Sequence, residues 1–181
     1  MALDIALGGS RLPQPCVLTI FGGDGDLAWR KLLPAVYNLN VDGVLPSHFA
    51  VTGFGLPAEG QVSGDPDEYL RARARSGIEK FSRQALDEAH WNDFARSLFF
   101  VPGSFNDARA YQQLKARMEA IDQQFGIPGS RVYYLAVPPS LVGPCVANLK
   151  QAGMVAPPEE PVGFTRVIVE KPIGRDLESA R

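Results

Sequence analysis

A short apolar run, Val17-Leu18-Thr19-Ile20-Phe21, reaches a glycine-rich turn, Gly22-Gly23-Asp24-Gly25-Asp26, and a helical pattern begins directly after it. Apolar side chains then return at Trp29, Leu32, Leu33, Val36 and Leu39, the spacing of one helix face. No other stretch restricts the fold so tightly. A strand, a tight turn and a helix start gather backbone N–H groups and the positive end of a helix dipole around one point, which suits an anion. Gly22 permits the sharp turn, and Gly25 lets the backbone approach a pyrophosphate that a Cβ would hold off. Asp26 is placed to cap the helix by accepting N–H bonds from its first turn. Pro34 falls inside the helix, where its missing donor predicts a loosened turn before it. A Gly-x-x-Gly turn on its own also serves many strand–helix junctions for geometry alone, so this motif by itself leaves both readings open.

Strand and helix signals alternate through the rest of the chain, which predicts a doubly wound, mostly parallel α/β sheet of Rossmann type. Further strands are expected over His48–Phe54, Leu98–Val101, Arg131–Val137 and Thr165–Val169. Helices are expected over Asp67–Arg75, over Ile78–Arg96, from a cap at Asn106 or Asp107 to Phe125, and over Ser140–Gln151. Glycine and proline mark Gly55–Pro66 and Gln151–Gly163 as loops, and Asp176 stands where it would cap another helix. Residues 1–15 read as an N-terminal tail and 16–181 as one dinucleotide-binding domain. There is no internal repeat.

The balance of 18 Lys+Arg against 20 Asp+Glu gives no reason to expect nucleic acid or an anionic membrane as partner. No apolar run has the length of a membrane span, and Met1–Pro15 lacks the basic start and apolar core of a signal peptide. Cys16 and Cys145 are too few for a disulfide framework or a zinc site, and no metal site is expected. Both read as reduced thiols in a cytoplasmic protein, with Cys16 packing in a strand. Arg71, Arg73 and Arg75, flanked by Glu68 and Glu79, read as a solvated helix face.

Three ordered motifs carry a family resemblance. The run from Gly22 through Asp26-Leu27-Ala28-Trp29-Arg30-Lys31-Leu32-Leu33-Pro34 to Leu39 looks like the opening signature of the glucose-6-phosphate dehydrogenases. Tyr134-Leu135-Ala136-Val137-Pro138-Pro139 and Glu170-Lys171-Pro172 resemble two further signatures of that family. The chain is therefore similar to the family's N-terminal part, truncated before the β+α substrate domain. The resemblance implies an NADP- or NAD-dependent oxidation of glucose 6-phosphate to 6-phosphogluconolactone in a cytoplasmic sugar-oxidising pathway, by a full-length protein that is a homo-oligomer. It implies that Gly22, Gly23, Asp24, Gly25, Asp26 and Leu27 hold the dinucleotide. By the same resemblance Ser104 and Phe105 lie near its adenosine half, and Ala136, Val137 and Pro138 wall its nicotinamide ribose. Lys171 would reach both substrate and cofactor, its direction fixed by a cis peptide before Pro172. The family's catalytic and phosphate-binding histidines lie beyond Arg181, so no catalytic residue is expected here. His48 and His90 match neither motif and read as surface or half-buried side chains.

Two departures bear on the cofactor. Leu56 stands where many family members carry the arginine that grips the 2′-phosphate of NADP, and no Lys or Arg occurs from Leu32 to Leu70. Asp24 occupies a turn position often held by Ser, Thr or Lys in the family, and a carboxylate repels a phosphate. Both changes point towards NAD, with Asp24 or Glu59 as candidates for the ribose 2′-hydroxyl. Arg30, Lys31 or the Arg71 cluster remain candidates for a substitute cation. The alternative reading is a non-catalytic Rossmann domain that senses a nucleotide, against which Lys171 speaks.

Overall fold

The computed structural model describes residues 13–57, 64–155 and 163–171. Five parallel strands, β1 (Cys16–Phe21), β2 (Phe49–Gly55), β3 (Leu98–Pro102), β4 (Arg131–Leu135) and β5 (Thr165–Val169), form one sheet in the order β3-β2-β1-β4-β5. The helices are α1 (Leu33–Val41), α2 (Pro66–Phe81), α3 (Glu88–Ala95), α4 (Ala108–Phe125) and α5 (Pro139–Gln151). A turn of π-helix, Ala28–Leu32, leads straight into α1.

Period-two alternation divides the strand side chains between two cores. Val17, Phe21, Ala50, Phe54, Phe99, Val101, Tyr133 and Leu135 face α4 and α5, meeting Tyr111, Leu114, Met118 and Leu149. Ile20, Val51, Leu98 and Phe100 face the other way, towards Leu33, Tyr37, Leu70, Ala74, Ile78, Trp91 and Phe94. Both faces of β1 and β2 are thus buried, which is why their sequences read as nearly continuous apolar runs. β5 differs from the expected cover on both faces: among the described residues Val167, Ile168 and Val169 are 42%, 42% and 37% exposed.

Several element boundaries depart from the sequence expectation. β2 runs one residue further, taking in Gly55, while β4 stops at Leu135. The break expected near Gly77 is absent, because α2 continues through it. A Cβ on Gly77 would sit 2.3 Å from the Trp29 carbonyl oxygen, so this glycine serves close packing against the π-helical turn rather than a helix end. The interruption comes instead at Ser82, extended at ψ 145°, whose hydroxyl donates to Asn38 Oδ1 at 2.7 Å. Asp87 then restarts the chain as α3 by accepting the His90 N–H at 3.0 Å. The expected single helix over Ile78–Arg96 is therefore two. Asp107, not Asn106, caps α4 by accepting the Arg109 N–H at 2.9 Å. The loosened turn ahead of Pro34 is present: Leu33 N–H reaches back to the Ala28 carbonyl, a π-type bond. The proposed cap at Asp176 and the loops' central residues lie outside the described residues.

Candidate functional site

Register fixes the site. Phe21 is level with Phe54 and with Leu135, Leu135 with Val169, and Gly55 with Pro102. All five strands therefore end along one edge, and the residues singled out in the sequence follow at once: Gly22, Leu56, Ser104, Ala136 and Lys171. The strand order reverses at β1 and β4, the switch point where open α/β sheets bind ligands beyond their carboxyl ends.

The glycine turn sits at that point and has no room for side chains. Gly22 adopts φ +79°, and a Cβ there would lie 2.6 Å from the Ala136 carbonyl oxygen. A Cβ on Gly23 would lie 2.5 Å from Gly53 Cα. The Gly22 and Gly23 N–H groups both donate to the Phe54 carbonyl, at 2.8 and 3.3 Å, and Gly25 N–H donates to Gly22 O at 2.9 Å. Among the described residues no protein acceptor takes the N–H groups of Asp24, Asp26 or Leu27. Unfilled donors at a helix start beside a bare cradle suit a pyrophosphate, so the residues present fit a dinucleotide.

Asp26 does not cap the helix. Its carboxylate is exposed and pairs with Arg30 at 3.7 Å, one turn on, so the first-turn donors stay open. Leu27 is 37% exposed at the start of the π-helical turn. Asp24 folds towards the end of β2, where a Cβ on Gly55 would sit 2.1 Å from Asp24 Oδ1. Leu56, beside it, is 67% exposed and brings no charge.

Ser104 and Phe105 follow β3. Ser104 Oγ accepts the Asn106 N–H at 3.3 Å, and Phe105 packs against Phe21 and Phe54 with centroids 6.1 and 5.7 Å apart. The Phe105 carbonyl accepts from Tyr111 and Asn148, so much of this loop is bound to the core. Ala136 N–H donates to Phe21 O at 3.0 Å, joining the ends of β1 and β4, while Val137 packs on the core and Pro138 is exposed. Beyond β5 the Tyr134 hydroxyl donates to the Glu170 carboxylate, and Lys171 is exposed next to it. Burial first, then the hydrogen bond and charge of Glu170, push the Tyr134 phenol up to about 12. Pro172 and Glu59 lie outside the described residues.

Other candidates stand apart from this edge. His48, before β2, is bonded through Nδ1 to the Phe125 carbonyl, and His90 Nδ1 meets Asp87 at 2.9 Å. A hollow of about 370 Å³ bordered by Lys115, Glu119, Asp122 and Arg131 lies at the opposite, amino end of the strands. Cys16 and Cys145 are free and buried, which raises both thiols above their ordinary range. The described residues contain no group of three or more metal-ligating side chains, and no described helix is long and apolar enough to cross a membrane.

A family model described as glucose-6-phosphate dehydrogenase, NAD binding domain, matches residues 19–181. The chain belongs to this family. A similar relative, the glucose-6-phosphate 1-dehydrogenase of Chlamydia pneumoniae, is 36% identical over 179 residues, covering 97% of this chain and 34% of the relative. A solved glucose-6-phosphate dehydrogenase in complex with its substrate glucose-6-phosphate superposes with TM-score 0.75 at 30% identity, over 94% of this chain and 33% of that one. The glucose-6-phosphate 1-dehydrogenase of Mycobacterium avium gives TM-score 0.74 at 31% identity, over 93% and 32% of the two chains. The chain thus spans about a third of the length of these relatives. Family and fold agree with the sequence reading, and a nicotinamide dinucleotide is the cofactor class that goes with this domain.

Three features escaped the sequence reading. Gly55 reads there as a loop start, and only the register shows it facing Asp24. Arg73 reads as one of three equivalent arginines. Tyr134 and Glu170 are 36 residues apart, and only the β4–β5 pairing brings them together.

Proposed function

We propose that these residues form the cofactor half of an enzyme that oxidises glucose 6-phosphate to 6-phosphogluconolactone, with NAD used at least as readily as by relatives bearing an arginine after β2. The observation that carries this reading is the cradle at the switch point: Gly22 and Gly23 without room for a Cβ, next to the open N–H groups of Asp24, Asp26 and Leu27. These groups, with Gly25, hold the pyrophosphate. Ser104 and Phe105 flank the adenosine half, and Ala136, Val137 and Pro138 border the nicotinamide ribose. When bound, the dinucleotide supplies the hydride acceptor.

Lys171 reaches substrate and cofactor from the end of β5, with Glu170 tied to Tyr134 beside it. A pure nucleotide sensor has no use for a lysine aimed into the same crevice. Asp24, beside Gly55, accepts the ribose 2′-hydroxyl of NAD, and Leu56 leaves the 2′-phosphate of NADP without a strand-end partner. The buried free thiols accord with a reducing, cytoplasmic setting.

The test is glucose 6-phosphate-dependent reduction of NAD and NADP by the full-length protein and by Lys171→Ala. The variant is expected to lose about a hundredfold or more of kcat/KM, on the order of 3 kcal/mol, while its Tm stays unchanged. Equal turnover by parent and variant would remove Lys171 from the site. No turnover by either, with cofactor binding intact, would favour the sensor.

A further inference from the structure

The cations around α2 and the glycine turn are not equivalent. Arg71 donates from Nε to Ala95 O at 2.9 Å and pairs with Glu68 at 2.5 Å. Arg75 is held by Glu79 at 3.2 Å and Glu88 at 2.5 Å, and Arg30 is paired with Asp26. Arg73 has no carboxylate partner among the described residues, and its Nε is buried without an acceptor. The enclosed Nε fixes the guanidinium in place, and its charge is left without a carboxylate to offset it.

Its surroundings place that charge. The Arg73 guanidinium carbon lies 5.9 Å from the centre of the Trp29 ring, in the π-helical turn that follows the glycine turn. One helical turn earlier, Tyr69 packs on Phe100 at 5.4 Å. Phe100 is level with Gly53, against which Gly23 of the glycine turn is seated, so Tyr69 packs on the β2 side of that turn. The Tyr69 phenol is raised by burial first, lowered by the Arg73 charge and raised by the Asp24 charge. Two residues beyond Gly53 β2 ends, where Asp24 covers Gly55 and Leu56 offers nothing to an anion.

We propose that Arg73, reaching from α2, receives the ribose 2′-phosphate of NADP in this chain, in place of an arginine at the end of β2. The inference rests on the dinucleotide reading above and deepens it. The crevice then reads both cofactors, with Asp24 as acceptor for the 2′-hydroxyl of NAD and Arg73 as donor to the 2′-phosphate of NADP. A guanidinium is suited to this because its planar terminal N–H groups match two phosphate oxygens at once.

Calorimetric titration of the full-length protein with NADP, NAD and adenosine 2′,5′-bisphosphate tests it. Arg73→Met keeps most of the aliphatic stem against Trp29 and removes the charge. It is expected to weaken NADP and the bisphosphate by roughly tenfold or more, with NAD changed by less than about twofold, and Arg73→Lys should recover part of the loss. Equal weakening of NAD and NADP would make Arg73 a packing residue and overturn the proposal, as would an unchanged NADP affinity. A parent that binds neither dinucleotide refutes the cofactor reading and this inference with it. A parent that binds both, with Arg73→Met indistinguishable from it, refutes this inference alone.

Discussion

Asp24 shows how far one side chain's meaning depends on its neighbour. In the sequence it is a carboxylate in a glycine-rich turn, and its neighbour is visible only once β2 is seen to end in Gly55, with no Cβ to keep Asp24 away. On the proposed reading the pair offers an acceptor where NADP would bring a dianion, and Coulomb repulsion there would act against the phosphorylated cofactor. Leu56→Arg is therefore expected to raise kcat/KM for NADP by about one to two decades, the worth of roughly 1.5–3 kcal/mol for a charged hydrogen bond. Asp24→Ser should move the NADP/NAD ratio in the same direction by removing the repulsion. Steady-state kinetics with both cofactors checks this, and strict NADP selectivity in the parent with no gain from Leu56→Arg would mean that the 2′ site lies elsewhere. Asp26 teaches the complementary lesson. Its capping role followed from position alone, yet the ion pair with Arg30 holds it outward, and spacing in a sequence does not say which of two local partners wins.

Among elements, strands were more legible than helices. Alternation and apolar runs mark all five strands to within two residues; burial on two faces leaves β1 and β2 little freedom, and β5 keeps the same apolar run although it is exposed. The split between α2 and α3 was misplaced because Ser76-Gly77 looks like a stop, whereas Gly77 lets α2 approach Trp29 and the real stop is a hydroxyl bound to another helix. The β4–β5 pairing carries its own consequence. It joins Tyr134 to Glu170 and so steadies the strand end from which Lys171 projects. Tyr134→Phe is expected to lower kcat by several-fold, on the order of 1 kcal/mol for one hydrogen bond, while leaving dinucleotide affinity unchanged. The same bond predicts a pH response. The phenol is raised from 10 to about 12 in the folded chain, so its stabilising share is full below pH 10 and is lost as pH rises towards about 12. Burial also raises Tyr69, Tyr111 and Tyr133, so alkaline unfolding is shared, and Tyr134→Phe should flatten the fall of Tm with pH without abolishing it.

At the scale of the whole chain, the proposed binding site and the chemistry are separate questions. Five strand ends on one edge bring together the glycine turn, Asp24 beside Gly55 and Lys171, and the alternating strand and helix signals make that architecture readable in the sequence. A base able to take the proton from a sugar hydroxyl is a different matter. The chain's two histidines are His48, tied to the Phe125 carbonyl ahead of β2, and His90, tied to Asp87 on α3. Neither follows the end of a strand, and the relatives that match are about three times as long. Residues 1–181 by themselves are therefore expected to bind NAD or NADP without oxidising glucose 6-phosphate. Calorimetry should show saturable dinucleotide binding that Gly25→Val abolishes, since its side chain would enter the space proposed for the pyrophosphate. In the same preparation, no absorbance of reduced nicotinamide should grow when glucose 6-phosphate is added. Turnover at the 1–1,000 per second typical of enzymes would mean that a base within these residues has been overlooked. Absence of binding would mean that the cradle needs the rest of the protein to close.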